Sequence, residues 1–356
     1  MNVQNKGIPE WVMNNISPVK PKKFMIARVS GVYKSKYSVQ LNSAEVFAEL
    51  AGKLLFNIES PLDYPTVGDW VYVQFFNQNS LAIIHEIVPR KTLLKRKIAG
   101  KKITYQLIAA NVDIALIIQS LDQDFNIRRL ERYIAISREG SITPLILLSK
   151  SDLLPRENIE QKIADILSIM PNLQVIAFSN LDNYNFQQIT SILESGKTFC
   201  LMGSSGVGKT TLLNHILEKN EYKTREVRKD GKGKHTTTNR QLIRLINGST
   251  IIDTPGMREL GLTDSVKGIK QAFQEIAGLA SQCQFNNCTH TVEKGCAVLE
   301  ALANGIISRD RYENFIKIKK ESDFYGMSYA EKRKKDRQKG KLYKNILKNH
   351  NKRSTL

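Results

Sequence analysis

The sequence predicts a multidomain protein. An N-terminal β-barrel of OB-fold type leads into a central α/β domain on a parallel sheet, and a C-terminal α-helical region is built round a metal-binding cluster. Three observations predict this. Short alternating segments separated by turn residues fill residues 24–89. Short apolar runs then alternate with helix-like stretches to about residue 264. Beyond that, three of the four cysteines crowd into one window. With 356 residues, 41% of them hydrophobic and 8% aromatic, the chain can bury several cores and does not have a disordered composition.

Residues 1–22 read as a basic N-terminal extension. Across 23–100, segments such as Tyr37-Ser38-Val39-Gln40-Leu41 and Val71-Tyr72-Val73-Gln74-Phe75 are punctuated by Gly31, Gly52, Asn77 and the pair Gly68-Asp69. Regular short strands with such turns fit a small barrel. An OB-fold is expected, although an SH3-like barrel gives nearly the same pattern. The basic stretch Arg90–Lys102 marks a change of character. Across 101–265 the runs Val112–Gln119, Pro144–Leu148, Val175–Phe178, Thr198–Met202 and Thr250–Ile252 are apolar throughout, and Arg128–Arg138 and Asn158–Ile169 read as helices between them. Buried strands alternating with helices indicate a parallel sheet covered on both faces. Residues 266–320 read as helical around the cysteines, and 321–356 as a basic tail.

The formal charge of +19 favours an acidic partner, with nucleic acid ahead of a membrane surface. No apolar run approaches the roughly 20 residues of a membrane span. The opening residues lack the continuous apolar core of a signal peptide. A cytoplasmic monomer is expected, in which clustered cysteines hold metal rather than form disulfides.

Gly203-Ser204-Ser205-Gly206-Val207-Gly208-Lys209-Thr210 matches G-x-x-x-x-G-K-[ST] in full, between an apolar strand and a helix that continues through Thr211. Glycines let the backbone curl until its N–H groups face the phosphates, and the helix N-terminus adds positive charge. Lys209 is expected to reach the β- and γ-phosphates and Thr210 to ligate Mg²⁺. Asp253-Thr254-Pro255-Gly256 follows the run Thr250–Ile252. There Asp253 can hold Mg²⁺ through water, and the Gly256 N–H can reach a γ-phosphate. Between them, Gly231–Thr238 is a basic, hydroxyl-rich loop in the position of a switch segment, with Thr237 the favoured metal ligand.

Ser149-Lys150-Ser151-Asp152 resembles the [NT]-K-x-D base loop. An Asp there accepts from the N1–H and exocyclic amino group of guanine. Adenine offers no such donor pair and would leave a carboxylate unpaired. Ser149 departs from the pattern, since serine replaces only some of the hydrogen bonds of Asn. Ser179, at the end of a further strand, fits the second loop that flanks the base.

These motifs run in the order base loop, Ser179, phosphate loop, switch, D-T-P-G, whereas conventional GTPases put the base loop last. The permuted order, a preceding barrel, a following Cys/His cluster and the segments Ile108–Asp113 and His235–Thr238 together resemble the RsgA family of small ribosomal subunit biogenesis GTPases. The resemblance covers nearly the whole chain. It implies binding of GTP and GDP, GTP hydrolysis stimulated by the small subunit and its rRNA, and a role late in the maturation of that subunit. Met257 occupies the position where many GTPases carry a water-aligning Gln, so slow intrinsic turnover is expected, with His235 the candidate that assists. The alternative is an RNA-binding scaffold whose nucleotide site turns over negligibly.

Cys283, Cys288, His290 and Cys296 offer three thiolates and an imidazole within fourteen residues. One structural Zn²⁺ per chain is expected from such a set. Cys200, on the strand before the phosphate loop, reads as core. Residues 317–356 carry fourteen Lys or Arg against four Asp or Glu, a density suited to RNA phosphates. Tyr33, Tyr37 and Phe75 are barrel aromatics that could stack on bases.

Overall fold

A computed structural model describes residues 8–17, 23–33, 36–41, 44–76, 80–98, 104–218, 240–254 and 266–327, with single positions at 331, 333 and 337. His235, Thr237, Gly256, Met257 and most of the basic tail lie outside the described residues.

A short helix, α1 (Glu10–Met13), precedes the barrel strands β1 (Met25–Val32), β2 (Tyr37–Leu41) and β3 (Ala44–Leu50). Helix α2 (Gly52–Phe56) follows, then β4 (Trp70–Phe76) and β5 (Leu81–Ile87). The strands close in the order β1-β2-β3-β5-β4, with β4 returning to β1 and only β3–β5 parallel. This five-stranded closure with one parallel seam is the OB arrangement, not the SH3-like one. Alternate residues point inward, so Ala27, Val29, Val39, Val71, Val73 and Ile84 share one dry interior. Tyr37 belongs to this core rather than to a stacking surface, and burial pushes its phenol up to about 12. Tyr33 and Phe75 remain partly exposed, and Tyr33 meets the exposed ring of Phe47 edge to face at 6.2 Å.

The basic stretch after the barrel is not a plain linker. Strand β6 (Leu93–Ile98) pairs with β7 (Thr104–Ala110) as a hairpin that straddles residue 100.

Next come β8 (Ile114–Ser120), α3 (Ile127–Glu139), β9 (Thr143–Ser149), α4 (Arg156–Ile169), β10 (Gln174–Ala177) and α5 (Phe186–Ile192). The chain then runs through β11 (Thr198–Met202), α6 (Lys209–Ile216), β12 (Gln241–Arg244) and β13 (Thr250–Asp253). The sheet order is β10-β9-β8-β11-β13-β12, parallel except for β12. All five residues of β11 are buried, as a central parallel strand requires. The chain lays β8, β9 and β10 outward in one direction, then returns to place β11 on the other side of β8. Ligands bind at such a reversal, outside the carboxyl ends of the strands. The free edge of β12 pairs with barrel strand β1 at Gly31 and Gln241, so barrel and α/β domain share one 11-stranded sheet.

The C-terminal region comprises α7 (Val266–Ala272), α8 (Gln274–Ala280), α9 (Ala297–Ala303) and α10 (Arg309–Gly326). Gly268 lets α7 lie directly on α3, because a Cβ there would sit 2.3 Å from the Ala135 carbonyl oxygen. Phe273, Ile276, Phe315 and Ile318 continue the core formed by Leu130 and Ile134 of α3. Arg311 is buried at the seam. Its guanidinium donates to Glu131 of α3, to Glu275 at 2.7 Å and to the Ala272 carbonyl at 2.8 Å, and it lies 4.1 Å over the Phe273 ring. Asn314 donates to the other oxygen of Glu131, and Arg132 grips Glu321 through two bonds of 2.7 Å.

Candidate functional site

The phosphate-loop motif lies between the end of β11 and the start of α6. Gly203, Gly206 and Gly208 all have positive φ, which L side chains rarely adopt. Gly203 is constrained twice over, since a Cβ would stand 2.3 Å from the Ile118 carbonyl oxygen of β8. Lys209 folds back into the loop and donates to the carbonyls of Gly203 at 2.8 Å and Ser204 at 2.5 Å. Val207 anchors the loop in the apolar cluster beneath. Ser205 and Thr210 are half-buried at the cleft, whereas Thr211 points to solvent.

Asp253 ends β13 beside this loop. Burial raises its carboxyl above the usual range, opposed by the Lys209 ammonium and the Thr254 N–H. The Thr254 hydroxyl is tied to the Leu201 carbonyl of β11, so the start of D-T-P-G is fixed to the strand that carries the phosphate loop.

Sequence-distant loops complete the cleft. The Ser149 hydroxyl donates to the Val207 carbonyl at 2.7 Å, joining base loop to phosphate loop across 58 residues. Lys150 adopts a left-handed backbone, φ 59°, and its ammonium reaches Asp122 at 2.7 Å. The Ser179 hydroxyl donates to Asp152 at 2.7 Å, which holds the carboxylate at the cleft edge. Ser151 donates its backbone N–H to the Phe178 carbonyl. The base loop, Ser179, the phosphate loop and Asp253 therefore meet in one place, with Thr211 turned to solvent.

Two participants escape a motif reading. Asp122 and Asp124 follow β8 at the reversal point. Burial pushes the Asp122 acid up, but bonds from Lys150 and Ser120 outweigh it and hold the carboxyl below its ordinary value. Asp124 accepts from the Ser204 hydroxyl at 2.9 Å and from Arg129. The available signal was an acidic pair at the carboxyl end of an apolar strand.

The second constellation lies between α8 and α9. The ligand atoms of Cys283, Cys288, His290 and Cys296 are all within 4.8 Å of one another and could hold a metal ion. Cys283 Sγ is 3.8 Å from Cys296 Sγ, and these sulfurs lie 3.6 and 3.5 Å from His290 Nδ1. A tetrahedral ion with sulfur at about 2.3 Å and nitrogen at about 2.0–2.1 Å gives edges of roughly 3.8 and 3.5 Å. The donors thus fit such an ion. Burial and the neighbouring sulfurs raise the Cys288 thiol to about 11, a cost that a cation would remove. His290 reaches inward from a left-handed backbone, φ 63°, and its carbonyl accepts the Tyr312 hydroxyl at 2.6 Å. Glu293, which the motif reading passed over, accepts the N–H groups of Thr289, Thr291 and Val292 and fixes the loop.

A sequence profile described as RsgA GTPase matches residues 87–263. The Small ribosomal subunit biogenesis GTPase RsgA 2 of Vibrio parahaemolyticus is 38% identical over 330 residues, 92% of this chain and 88% of that protein. The chain belongs to the RsgA family of GTPases. Membership makes it a GTP-hydrolysing enzyme with the permuted order of motifs. Two solved structures share the fold. YjeQ from Thermotoga maritima aligns with a TM-score of 0.62 at 23% identity, over 85% of this chain and 99% of that one. YloQ, described as a circularly permuted GTPase, aligns at 0.61 and 20% identity, over 88% and 100%.

Proposed function

We propose that this RsgA-family protein hydrolyses GTP in the cleft between the β8, β9 and β11 loops, that it binds the small ribosomal subunit through rRNA, and that it acts late in the maturation of that subunit. The observation that carries the nucleotide assignment is the Ser149–Val207 bond, which brings base loop and phosphate loop to one cleft at the reversal of the sheet. The subunit assignment follows relatives named for small ribosomal subunit biogenesis and a net charge of +19.

In this reading Asp152, held by Ser179, selects guanine. The N–H groups of residues 203–211 and the Lys209 ammonium take the phosphates. When phosphate enters, Lys209 exchanges the Gly203 and Ser204 carbonyls for phosphate oxygens. Thr210, and Asp253 through water, would hold Mg²⁺, which would supply charge neutralisation at the phosphates. Gly256, Thr237 and His235 complete the site from segments outside the described residues. The Cys283, Cys288, His290 and Cys296 set would hold zinc as a structural ion, and the protein works as a cytoplasmic monomer. Among the described residues no helix is long and apolar enough to cross a membrane.

The test is GTP turnover with isolated small subunits, large subunits and a bare polyanion. A rise of about tenfold or more with small subunits alone supports the proposal. Equal stimulation by all three reduces it to polyanion binding.

A further inference from the structure

The metal loop stands beside a cavity that the nucleotide reading leaves unused. Its volume is about 410 Å³, within the range of small-molecule pockets and ample for one nucleobase. Helices α7, α8 and α10 enclose it together with the loop that carries Phe285, Cys288 and His290. Phe315 gives it a fixed floor, 6% exposed and held against the Phe273 ring at 5.5 Å. Ala277 and Ala280 of α8 line it with little bulk.

Phe285 lines the cavity as well, yet is 49% exposed. One exposed ring is ordinary on a protein surface, but this one is held in place. The Cys288 N–H donates to the Phe285 carbonyl at 3.1 Å, closing a turn with Asn286 and Asn287 at its tip. Cys283 and Cys288, both in the candidate ligand set, brace that turn from either side. Asn286 and Asn287 are exposed and line the same cavity, so their amides are available to a ligand. Lys270 and Lys319 line it too, against Asp323 as the one acid. The Lys319–Asp323 contact is 3.5 Å and exposed, which makes it a weak pair. Beyond α10 the sequence runs on into Lys332-Arg333-Lys334-Lys335 and Arg337, so the cavity stands at the root of the basic tail. An aromatic face, edge-reading amides and cations are the set by which single-stranded RNA is held.

We infer that this cavity receives one unstacked base of single-stranded RNA, which stacks on Phe285, offers its polar edge to the Asn286 and Asn287 amides and directs its phosphate toward Lys270 and Lys319. The inference rests on the reading that the protein docks on rRNA. It gives that docking a base-binding point on the metal module.

The experiment is equilibrium binding of the full chain to isolated small subunits, to poly(A) and to polyphosphate, which has the charge without the bases. Phe285→Leu keeps apolar volume but loses the flat face. It should bind small subunits and poly(A) about tenfold more weakly, and polyphosphate as before. The salt dependence should keep its slope, since stacking releases no counterions. Phe285→Tyr should bind like the wild type. Metal content and intrinsic GTP turnover should stay at wild-type values in both. Should the leucine variant lose its metal, the double variant Asn286→Ala, Asn287→Ala provides the comparison, with a loss of about tenfold on poly(A). Unchanged poly(A) affinity in a metal-bearing variant overturns the inference, and a loss confined to small subunits assigns the cavity to a protein surface instead. A wild type that binds poly(A) but not small subunits removes the subunit reading and leaves the base site standing.

Discussion

Lys209 and Asp152 sit at opposite ends of the proposed nucleotide, and each can be tested alone. Lys209 currently satisfies two loop carbonyls, so Lys209→Ala removes charge from the cleft without opening the core. Phosphate release should fall by on the order of a hundredfold or more, with the melting temperature nearly unchanged. Normal turnover in the folded variant would remove the phosphate-loop assignment. Asp152→Asn should weaken GTP binding and shift preference toward xanthosine triphosphate, whose C2 oxygen accepts from an amide. Competition binding checks it, and an unchanged preference places base recognition elsewhere. These residues were legible in the sequence because a phosphate or purine demands particular side chains at adjacent positions, and adjacency survives in a linear reading. Asp122 and Asp124 were not legible as participants. Their roles depend on which loops the sheet reversal brings together, and no local spacing encodes that.

At the scale of elements, helix α10 is fastened to α3 by charge as much as by packing. Arg311 and Glu131 are 5% and 2% exposed in their side chains, and a buried ion pair that loses one member leaves a costly charge behind. Arg311→Met should destabilise the protein by about 3 kcal/mol, read from denaturant unfolding. Burial already raises the Glu131 carboxyl above its ordinary value, and losing Arg311 raises it further. A carboxyl with a folded pKa above its unfolded one binds more protons when folded, so stability rises as pH falls. The deficit should therefore be smaller at pH 5 than at pH 8. An equal deficit at both would show that Glu131 stays ionised. The metal loop offers a second test. Purified protein should contain about one zinc per chain, and Cys288→Ser should lose it. Hydrogen exchange should then quicken from residue 283 into α10 more than in the phosphate-loop sheet. Metal analysis finding far less than one equivalent, in protein never exposed to chelator, would refute the site. The cysteine spacing announced this module, while the Arg311 seam stayed hidden because its partners stand 180 and 36 residues away. The barrel was visible as alternating segments. The OB-fold expected from those segments is borne out, but their strand order was not legible, because order is a property of pairing rather than of pattern, and β6 was masked by the lysines and arginines within it.

For the whole molecule, the charge of +19 would make the proposed docking on RNA a counterion-release equilibrium. Stimulation by small subunits should fall steeply as salt rises. Removing residues 330–356 should weaken docking and flatten that slope yet leave intrinsic turnover unchanged, since no nucleotide motif lies there. A salt series on the intact and shortened proteins measures both, and a lower intrinsic rate in the shortened protein would show that the tail serves the catalytic cleft. The pairing of β1 with β12 has a different kind of consequence. Without the barrel, β12 would be the last strand of the α/β sheet, with a row of unsatisfied backbone donors and acceptors facing water, a template for another chain to join. The barrel is thus a chaperone to its own neighbour, permanently attached. A fragment beginning at residue 91, which keeps the β6–β7 hairpin, should self-associate at concentrations where the full chain stays dispersed, and light scattering would show it.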